Sequence, residues 1–516
     1  MTAPPARLMR AATFLNRPAT ARKPIRPARA RRVQGRATAD SETIGARPDL
    51  ADRLDLIEIG VMPGPGRPDF NEDELTFANL GGAGYRGGAD ARAASGHSGA
   101  VMSSSGPVAR YAERMHRLIG GEHHVASPLG AWLLLALVGP AAGDGTRAEL
   151  EEVLGVDADR AAATARALLD APHPLVASAS ALWERTAIDA LAEWRAALPE
   201  STETGPLPDQ AALDAWARER TLGMIERFPL TVGPETLLVM ATALATRVAW
   251  ATPFQVAPAD ELGPASAWAG RLRRVLRTPS NGHTCWIAGT GRAGDVAVHA
   301  AEARPERADG RESGLLVVSV AAAPDVPAPD VLAAAHEVAT NATTFPGRGR
   351  RSLYDLPLGD TPLWTVREER TRSFGREERL SALLPCWKAE SRHDLTAKGF
   401  GFDTAVGALG ELMGAAGMGY EAAQAAVARY GRYGFEAAAV TAFAAVAGLP
   451  PEVVVRVAEL RFGHPYAVVA VATDTRDGVP AGPWHGLPVY SAWVARPEEL
   501  PEADLAEGPA WMVRPE

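Results

Sequence analysis

Residues 434–451 constrain the fold of this chain more than any other stretch. The segment reads GFEAAAVTAFAAVAGLPP, a run of small residues in which Glu436 is the only charged side chain. Such a segment is either a buried strand or an exposed loop that can become one. Ala437, Ala439 and Thr441 would share one face of a strand, because strand side chains alternate between faces. All three are small, so this face could enter a crowded sheet.

Composition narrows the class of protein. The chain has 516 residues, of which 47% are hydrophobic, so it can bury a sizeable core. A net charge of -9 argues against nucleic acid as a partner. The apolar run 129–139 is too short to span a membrane, and the N-terminus lacks the apolar core of a secretory signal, so we expect a cytoplasmic protein with no membrane partner. Cys285 and Cys386 provide neither a disulfide framework nor a zinc site, although one bridge between them stays open.

The two ends of the chain differ from its middle. Residues 1–107 are rich in Arg, Pro and Gly, and ten basic residues precede the first acidic one, Asp40. We predict a low-complexity, disordered extension, although the basic run could also bind an anionic surface or target the chain. Only 50–61 has an apolar pattern there, and Met102 is an alternative start to Met1. Residues 499–516 are predicted to form an acidic tail.

Helix signals dominate the first half of the ordered region. The first predicted helix begins at about Val108. Four of its residues fall on one face: Val108, Tyr111, Met115 and Leu118. Ser127-Pro128 is a typical start for the second helix. Residues 213–228 are predicted to form one further continuous helix with a buried face.

A fourth helix is predicted from its end signals. Thr146 and Glu149 have the spacing of a capping box at its start. Gly155 has the position of a terminating glycine.

Strand signals dominate the second half. Residues 236–250 are apolar and rich in β-branched side chains, which predicts a buried central strand. Further strands are predicted at 314–322, 362–369, 379–390, 465–473 and 486–495. Because helices come early and strands late, the sequence predicts an α+β fold.

Several chemical motifs favour structural roles. The G-x-G-x-x-G motif at 289–294 is followed by a strand pattern, which favours a hairpin over a nucleotide site. We interpret His123-His124 as part of a solvated loop and not a metal site. Asp394, beside His393, is predicted to cap the helix that follows.

No catalytic, metal or cofactor site is predicted. Ser391 and Cys386 have no convincing base nearby in the sequence, and no G-x-S-x-G motif occurs. Trp216, Trp250 and Trp387 are predicted to be core residues.

Five blocks, in order, resemble the serpin family over about Val108 to Pro497. They are VASPLGAWLLLALVGPAAGDGTRAELEEVLG (125–155), LDAWARERTLGMIERF (213–228), LLVMATALATRVAWATPF (237–254), LPCWKAESRHDLTAKGFGFDTA (384–405), and the hinge-like segment 422–442 with the later FGHPYAVVAVATD and LPVYSAWVARP.

The resemblance implies a fold and a function. The expected fold is serpin-like α+β, with three β-sheets, about eight to nine helices and an exposed reactive-centre loop, in a domain at 108–498. Serpins trap proteases by inserting that loop into their main sheet. The chain would be a monomeric inhibitor and not an enzyme, with no cofactor. Its partner would be a serine-type protease that prefers small residues, or alternatively a cysteine-type one.

The resemblance also assigns residues. The scissile bond falls at Ala447–Gly448 or Gly448–Leu449, depending on the anchor used. The loop hinge comprises Gly434, Phe435, Glu436, Ala437, Ala438, Ala439 and Thr441. The region where the sheet opens comprises Ser127, Thr242, Trp250 and Gln424.

Some residues depart from the family pattern. Phe435 replaces a small hydroxyl residue that must enter the sheet first, and Arg432 replaces the usual Glu. Thr242 and Gly130 replace the usual Asn and Ser, which puts a hydrogen-bond cluster beneath the sheet in doubt. Phe435 and Arg432 favour a first alternative, a non-inhibitory serpin that binds a partner or ligand. A second alternative, a hydrolase or dehydrogenase, rests only on the glycine motif.

Overall fold

The computed structural model describes residues 54–60, 105–344, 347–372, 376–415, 417–433 and 452–505. All of these residues fall inside one compact unit, Ala51–Glu516. Most of the predicted extension at 1–107 and the end of the predicted tail lie outside the described residues.

The described residues contain eight α-helices, in agreement with the predicted α+β class. They are α1 (Ser105–Ile119), α2 (Pro128–Val138), α3 (Asp144–Leu154), α4 (Ala158–Leu169), α5 (Ala192–Ala196), α6 (Gln210–Arg220), α7 (Ala328–Thr344) and α8 (Phe402–Leu412). Among the described residues, no helix is long and apolar enough to cross a membrane.

Two helix ends follow the sequence signals. Ser127 caps α2, since its Oγ accepts a hydrogen bond from the N–H of Gly130. Gly155 ends α3 in the left-handed conformation at φ 69°, which glycine adopts without steric cost.

Other helix predictions were wrong. The helix predicted over 213–228 ends at Arg220, because Leu222 and Gly223 take positive φ values that an α-helix excludes. The capping box at Thr146 and Glu149 does not form. Helix α3 starts earlier, at Asp144, and the hydroxyl of Thr146 donates to the carbonyl of Gly143.

One residue of the predicted helix face is misplaced. Val108, Tyr111 and Met115 of α1 are buried, whereas Leu118 is 44% exposed. Leu118 lies in the last turn of α1, where the helix leaves the core.

Twenty strands complete the described part of the chain. They are β1 (Leu54–Gly60), β2 (His124–Ala126), β3 (Ala177–Glu184), β4 (Glu203–Pro206), β5 (Leu238–Val248), β6 (Gln255–Pro258), β7 (Arg274–Arg277), β8 (His283–Thr290), β9 (Gly294–Glu302), β10 (Glu306–Ala308), β11 (Arg311–Ala321), β12 (Gly359–Asp360), β13 (Trp364–Arg372), β14 (Glu378–Leu384), β15 (Trp387–Asp394), β16 (Ala423–Tyr430), β17 (Glu452–Arg461), β18 (Tyr466–Arg476), β19 (Val479–Pro480) and β20 (Pro488–Val494).

The described strands form four hydrogen-bonded sheets, two of which adjoin, so that the sheets make three layers. One sheet has the order β2-β20-β18-β11-β9-β8, with β10 and β19 added at its side. A second has the order β12-β13-β17-β14-β7-β6. The third, here called the main sheet, combines the ladder β1-β5-β3-β4 with the pair β15-β16, and β1 lies against β16 where the two parts meet.

The strand predictions were largely confirmed, with one division. The predicted strand 379–390 is two strands, β14 and β15, which belong to different sheets. Pro385 lies between them and lacks the N–H that a continuous ladder would need. The motif at 289–294 forms the turn between antiparallel strands β8 and β9, so the hairpin prediction was right.

Two interpretations of polar residues were wrong. His124 is buried in β2 and is not part of a solvated loop, because β20 covers it as the next strand of the sheet. Asp394 accepts from the N–H and hydroxyl of Thr396 in a turn, and the next helix begins only at Phe402.

The core holds the predicted tryptophans. Trp250 and Trp387 are 1% exposed and Trp216 is 8% exposed, so their assignment to the core was right. Cys285 and Cys386 are both free thiols.

Candidate functional site

The candidate site lies where the chain leaves β16. Strand β16 belongs to the main sheet and β17 to another, so the connection between them crosses from sheet to sheet. Residues 434–451 of this connection lie outside the described residues. They contain the predicted hinge from Gly434 to Thr441 and the predicted scissile positions Ala447, Gly448 and Leu449.

The start of the connection is fixed beside the end of β5. The backbone N–H of Trp250 donates to the carbonyl of Tyr433 at 3.1 Å, and its indole Nε1 donates to the carbonyl of Gly431 at 3.0 Å. The N–H of Phe254 donates to the carbonyl of Arg432 at 3.0 Å. The last residues before the predicted hinge are therefore held in place.

Arg432 strengthens this anchor. Its Nε donates to the carbonyl of Phe254 at 3.1 Å, and its Nη1 donates to the carbonyl of Asp504. Its guanidinium also lies 4.9 Å from the ring centre of Tyr433, a cation–π distance. Arg432, which departs from the family pattern, thus links the start of the connection (the hinge base, 431–433) to the turn Glu502–Asp504. The sequence did not predict this link.

Ser127 and Gln424 form a reciprocal buried pair. The N–H of Ser127 donates to Oε1 of Gln424 at 3.0 Å, and Nε2 of Gln424 donates to the carbonyl of Ser127 at 3.1 Å. The hydroxyl of Ser127 donates to the carbonyl of Val489 at 2.9 Å. The start of α2 is therefore tied to β16 on one side and to β20 on the other.

Thr242 ties β5 to the same turn of α2. Its hydroxyl donates to the carbonyl of Gly130 at 3.2 Å, and its side chain is fully buried. The structure thus brings together three of the four residues predicted for sheet opening around the first turn of α2. Trp250, the fourth, lies just after the C-terminal end of β5 and away from this turn. Although Thr242 and Gly130 depart from the family pattern, they retain a hydrogen bond between sheet and helix.

A group of buried histidines lies next to this cluster. Nδ1 of His116 lies 2.9 Å from Nε2 of His124, and Nε2 of His116 lies 2.5 Å from the hydroxyl of Ser491. Nδ1 of His124 faces the carbonyl of Glu122 at 2.8 Å, so it carries the proton. Nε2 of His124 therefore accepts from His116, and His116 accepts from Ser491. His336 packs beside His116, with ring centres 5.9 Å apart.

Burial keeps these imidazoles neutral. Loss of solvation, the main cause, lowers the pKa of His124 and of His336 to about 4, and places the pKa of His116 well below its usual range. Among the described residues, no group of three or more His, Cys, Asp or Glu is arranged to hold a metal ion. The sequence drew attention only to His123-His124. It could not show the partners of His124 in this cluster, because they lie in the distant elements α1, α7 and β20.

Among the comparisons with known proteins, only the one with solved structures finds similar proteins. No protein-family model matches the chain, and neither does any curated protein sequence. The structure is similar to a thermophilic serpin, tengpin, in its native state, with a TM-score of 0.50, 12% identity, and coverage of 78% of this chain and 96% of that one.

Two further solved structures are similar over about the same share of the chain. Mouse protein-Z dependent protease inhibitor has a TM-score of 0.48 and 11% identity, and the match covers 77% of this chain and 97% of that one. An Arabidopsis serpin in its native stressed conformation has a TM-score of 0.46 and 14% identity, over 77% of this chain and 100% of that one. From the likeness to tengpin, together with the eight helices and three layers of sheet, we conclude that the chain has the serpin fold, as a divergent member of it.

Proposed function

We propose that the chain is a suicide inhibitor of a serine-type protease that prefers small residues, with a cysteine-type protease as the alternative target. The observation that supports this most is the anchored base of the 434–451 connection. The chain leaves Tyr433 beside the end of β5 and re-enters the fold in a different sheet. A small-residue segment at this place could be cut as a loop and then fold back along β16. The proposed inhibitor is a monomer built on 108–498, and the compartment we assign to it is the cytoplasm.

The proposed reaction begins as ordinary proteolysis. The nucleophile of the protease attacks the carbonyl of Ala447 or Gly448, and the peptide bond to the next residue breaks, which leaves an acyl-enzyme and a free amino group. The loop then inserts as a strand and displaces the protease before water can attack the ester. Strain stored in the intact protein drives this step, and its speed relative to deacylation decides the outcome.

The face of the hinge that enters the sheet decides whether insertion succeeds. In an inserted strand, Ala437, Ala439 and Thr441 would share one face and Ala438 would lie on the other, because side chains alternate along a strand. A long charged side chain on the entering face would be buried without a partner. On the opposite face it would stay in water.

The test is a covalent complex on denaturing gels. We would mix the full chain with pancreatic elastase and with subtilisin, and we expect a band at the summed mass that survives SDS. Ala439→Arg should be cut without forming that band, whereas the matched control Ala438→Arg should keep it. Cleavage of the natural chain without a stable band, or equal behaviour of the two variants, would contradict the proposal.

A second candidate function is that of a non-inhibitory binding protein. Arg432 favours it, because this side chain fixes the hinge base to the carbonyls of Phe254 and Asp504. If the side chain of Arg432 holds this base too firmly for the hinge to turn into the sheet, proteases would cut the loop and leave. Under this alternative the fold serves recognition of a partner or ligand.

A further inference from the structure

Strand β1 fills the space between β5 and β16 in the main sheet. Its backbone pairs antiparallel with β5, from Leu54 opposite Val248 to Gly60 opposite Thr242. On its other side β1 lies against β16. The opposite edge of β16 is already hydrogen-bonded to β15. The edge of β16 that faces β5 is therefore the one covered by β1.

The strand directions show which segments compete for this space. β5 and β16 end together, because Trp250 binds the carbonyls of Gly431 and Tyr433. Upstream of these ends, Thr242 of β5 and Gln424 of β16 both bind the first turn of α2. The two strands thus run parallel, and a strand between them that starts at their common end must run antiparallel to both.

Strand β1 has this direction, and so would the inserted loop. A chain that continues beyond Tyr433 and folds back on β16 would start at the same end and run the same way. It would meet the same residues of β5, from Val248 towards Thr242. Each backbone N–H and C=O on that edge serves one neighbouring strand, so β1 and the folded-back loop cannot both pair with β5 there.

We propose that Leu54–Gly60 is an internal occupant of the strand position between β5 and β16, and that it must leave before the segment after Tyr433 can insert there. The identity of the competing segment rests on the proposed function. The site itself takes an extended peptide through main-chain hydrogen bonds, as in strand addition to a sheet edge. The segment LDLIEIG is suited to this role, since Ile57 and Ile59 are β-branched. The N-terminal region is thereby an autoinhibitory strand.

A disulfide trap in the full chain tests the position of β1. Ile57 lies opposite Ala245, and Cα atoms of opposed residues in an antiparallel pair are about 4.5–5.5 Å apart, within the range of a disulfide. The pair Ile57→Cys and Ala245→Cys should cross-link within one chain on mild oxidation. The matched pair Ile57→Cys and Ala241→Cys should not, because its sites are about 13 Å apart along the strand.

The natural thiols do not interfere with this trap. Cys386 is buried and Cys285 is half-buried, and both are changed to alanine in the cross-linking pairs. Equal cross-linking of the two pairs, failure of the first pair, or a cross-linked dimer in its place would overturn the proposal.

Peptide uptake tests whether β1 blocks the position. The probe is a labelled synthetic peptide, GFEAAAVTAFAAVA, which copies residues 434–447. Ile57→Pro removes a ladder donor from the middle of β1 and should release it. We expect this variant to take up the peptide at least ten-fold faster than the natural chain, and the control Ala91→Pro to behave like the natural chain. Equal uptake by Ile57→Pro and Ala91→Pro would overturn the proposal.

These readouts separate this inference from the inhibitor function, because neither involves a protease. A chain that cross-links in register and takes up the peptide only after Ile57→Pro supports the strand position. If the Ile57→Pro variant, in which the strand position is open, still forms no complex with any protease, then the proposed inhibition alone has failed.

Discussion

At the scale of single residues, the buried histidines make the stability of this molecule depend on pH. His116, His124 and Ser491 form a chain of donors in which each proton has one position, and the end of the chain is the carbonyl of Glu122. An added proton on His124 would face the N–H of His116. Protonation of His124 therefore breaks this series of hydrogen bonds and also places a charge in the core.

This arrangement predicts loss of stability in acid. The pKa values of His124 and His336 are about 4 in the folded chain, below the value of about 6.5 expected when unfolded. The unfolded chain thus binds more protons, so the free energy of unfolding is highest above pH 6.5 and falls between pH 6.5 and 4. Each group contributes about 3 kcal/mol to this loss.

His336 offers a clean test, because neither of its ring nitrogens has a hydrogen-bond partner among the described residues. His336→Leu should raise the free energy of unfolding at pH 5, relative to its effect at pH 8, by about 2 kcal/mol. Urea titrations at both pH values measure this difference. An identical effect at the two pH values would show that His336 does not titrate on unfolding.

At the scale of elements, the first turn of α2 joins the two halves of the main sheet. Thr242 of β5 and Gln424 of β16 both bind this turn, through Gly130 and Ser127. These links lie beneath β1, which also contacts α2. Sliding of the two halves must therefore break or carry along these hydrogen bonds.

The two links should differ in strength. Gln424→Ala leaves the buried N–H of Ser127 without its acceptor and removes one of two donors to the Ser127 carbonyl, so it should lower the free energy of unfolding by about 2–4 kcal/mol. Thr242→Val keeps the shape and removes one donor to a carbonyl, so we expect about 1 kcal/mol. Urea titrations give both values. Equal losses would mean that the reciprocal pair is no stronger than the single bond.

The sequence predicted elements better than their junctions. The apolar run of β5 and the Ser-Pro start of α2 depend on local patterns, and both were found where expected. The end of α6 depends on two positive φ values at Leu222 and Gly223, which residue types alone do not determine. Strand β1 shows only a short apolar pattern in the sequence, and its pairing could not be predicted because its partner β5 lies almost two hundred residues away.

At the scale of the whole molecule, the fold is that of the serpins, and rearrangement of its main sheet is what we propose. The likeness to tengpin establishes the fold. Ser127 and Gln424 bind each other, and their role in opening the sheet stays a prediction. The sequence could not predict the histidine cluster or the anchor made by Arg432, since both depend on contacts between distant segments.

Heat stability distinguishes the two proposed functions. If the cut loop displaces β1 and becomes a strand, the strain of the intact chain is released, and the cleaved chain should melt at least about 10 °C above the intact chain. Calorimetry of intact and elastase-nicked protein measures this rise. An unchanged melting temperature would favour the non-inhibitory alternative.

The order of strands in the largest sheet has a consequence for protein synthesis. Strand β20, from near the end of the chain, lies between β2 and β18, and Val489 within it binds the Ser127 cap of α2. A ribosome that has made the first 480 residues has therefore produced β2 and α2 without the strand that covers them. The growing chain must keep these early apolar elements from other partners until β20 has been made.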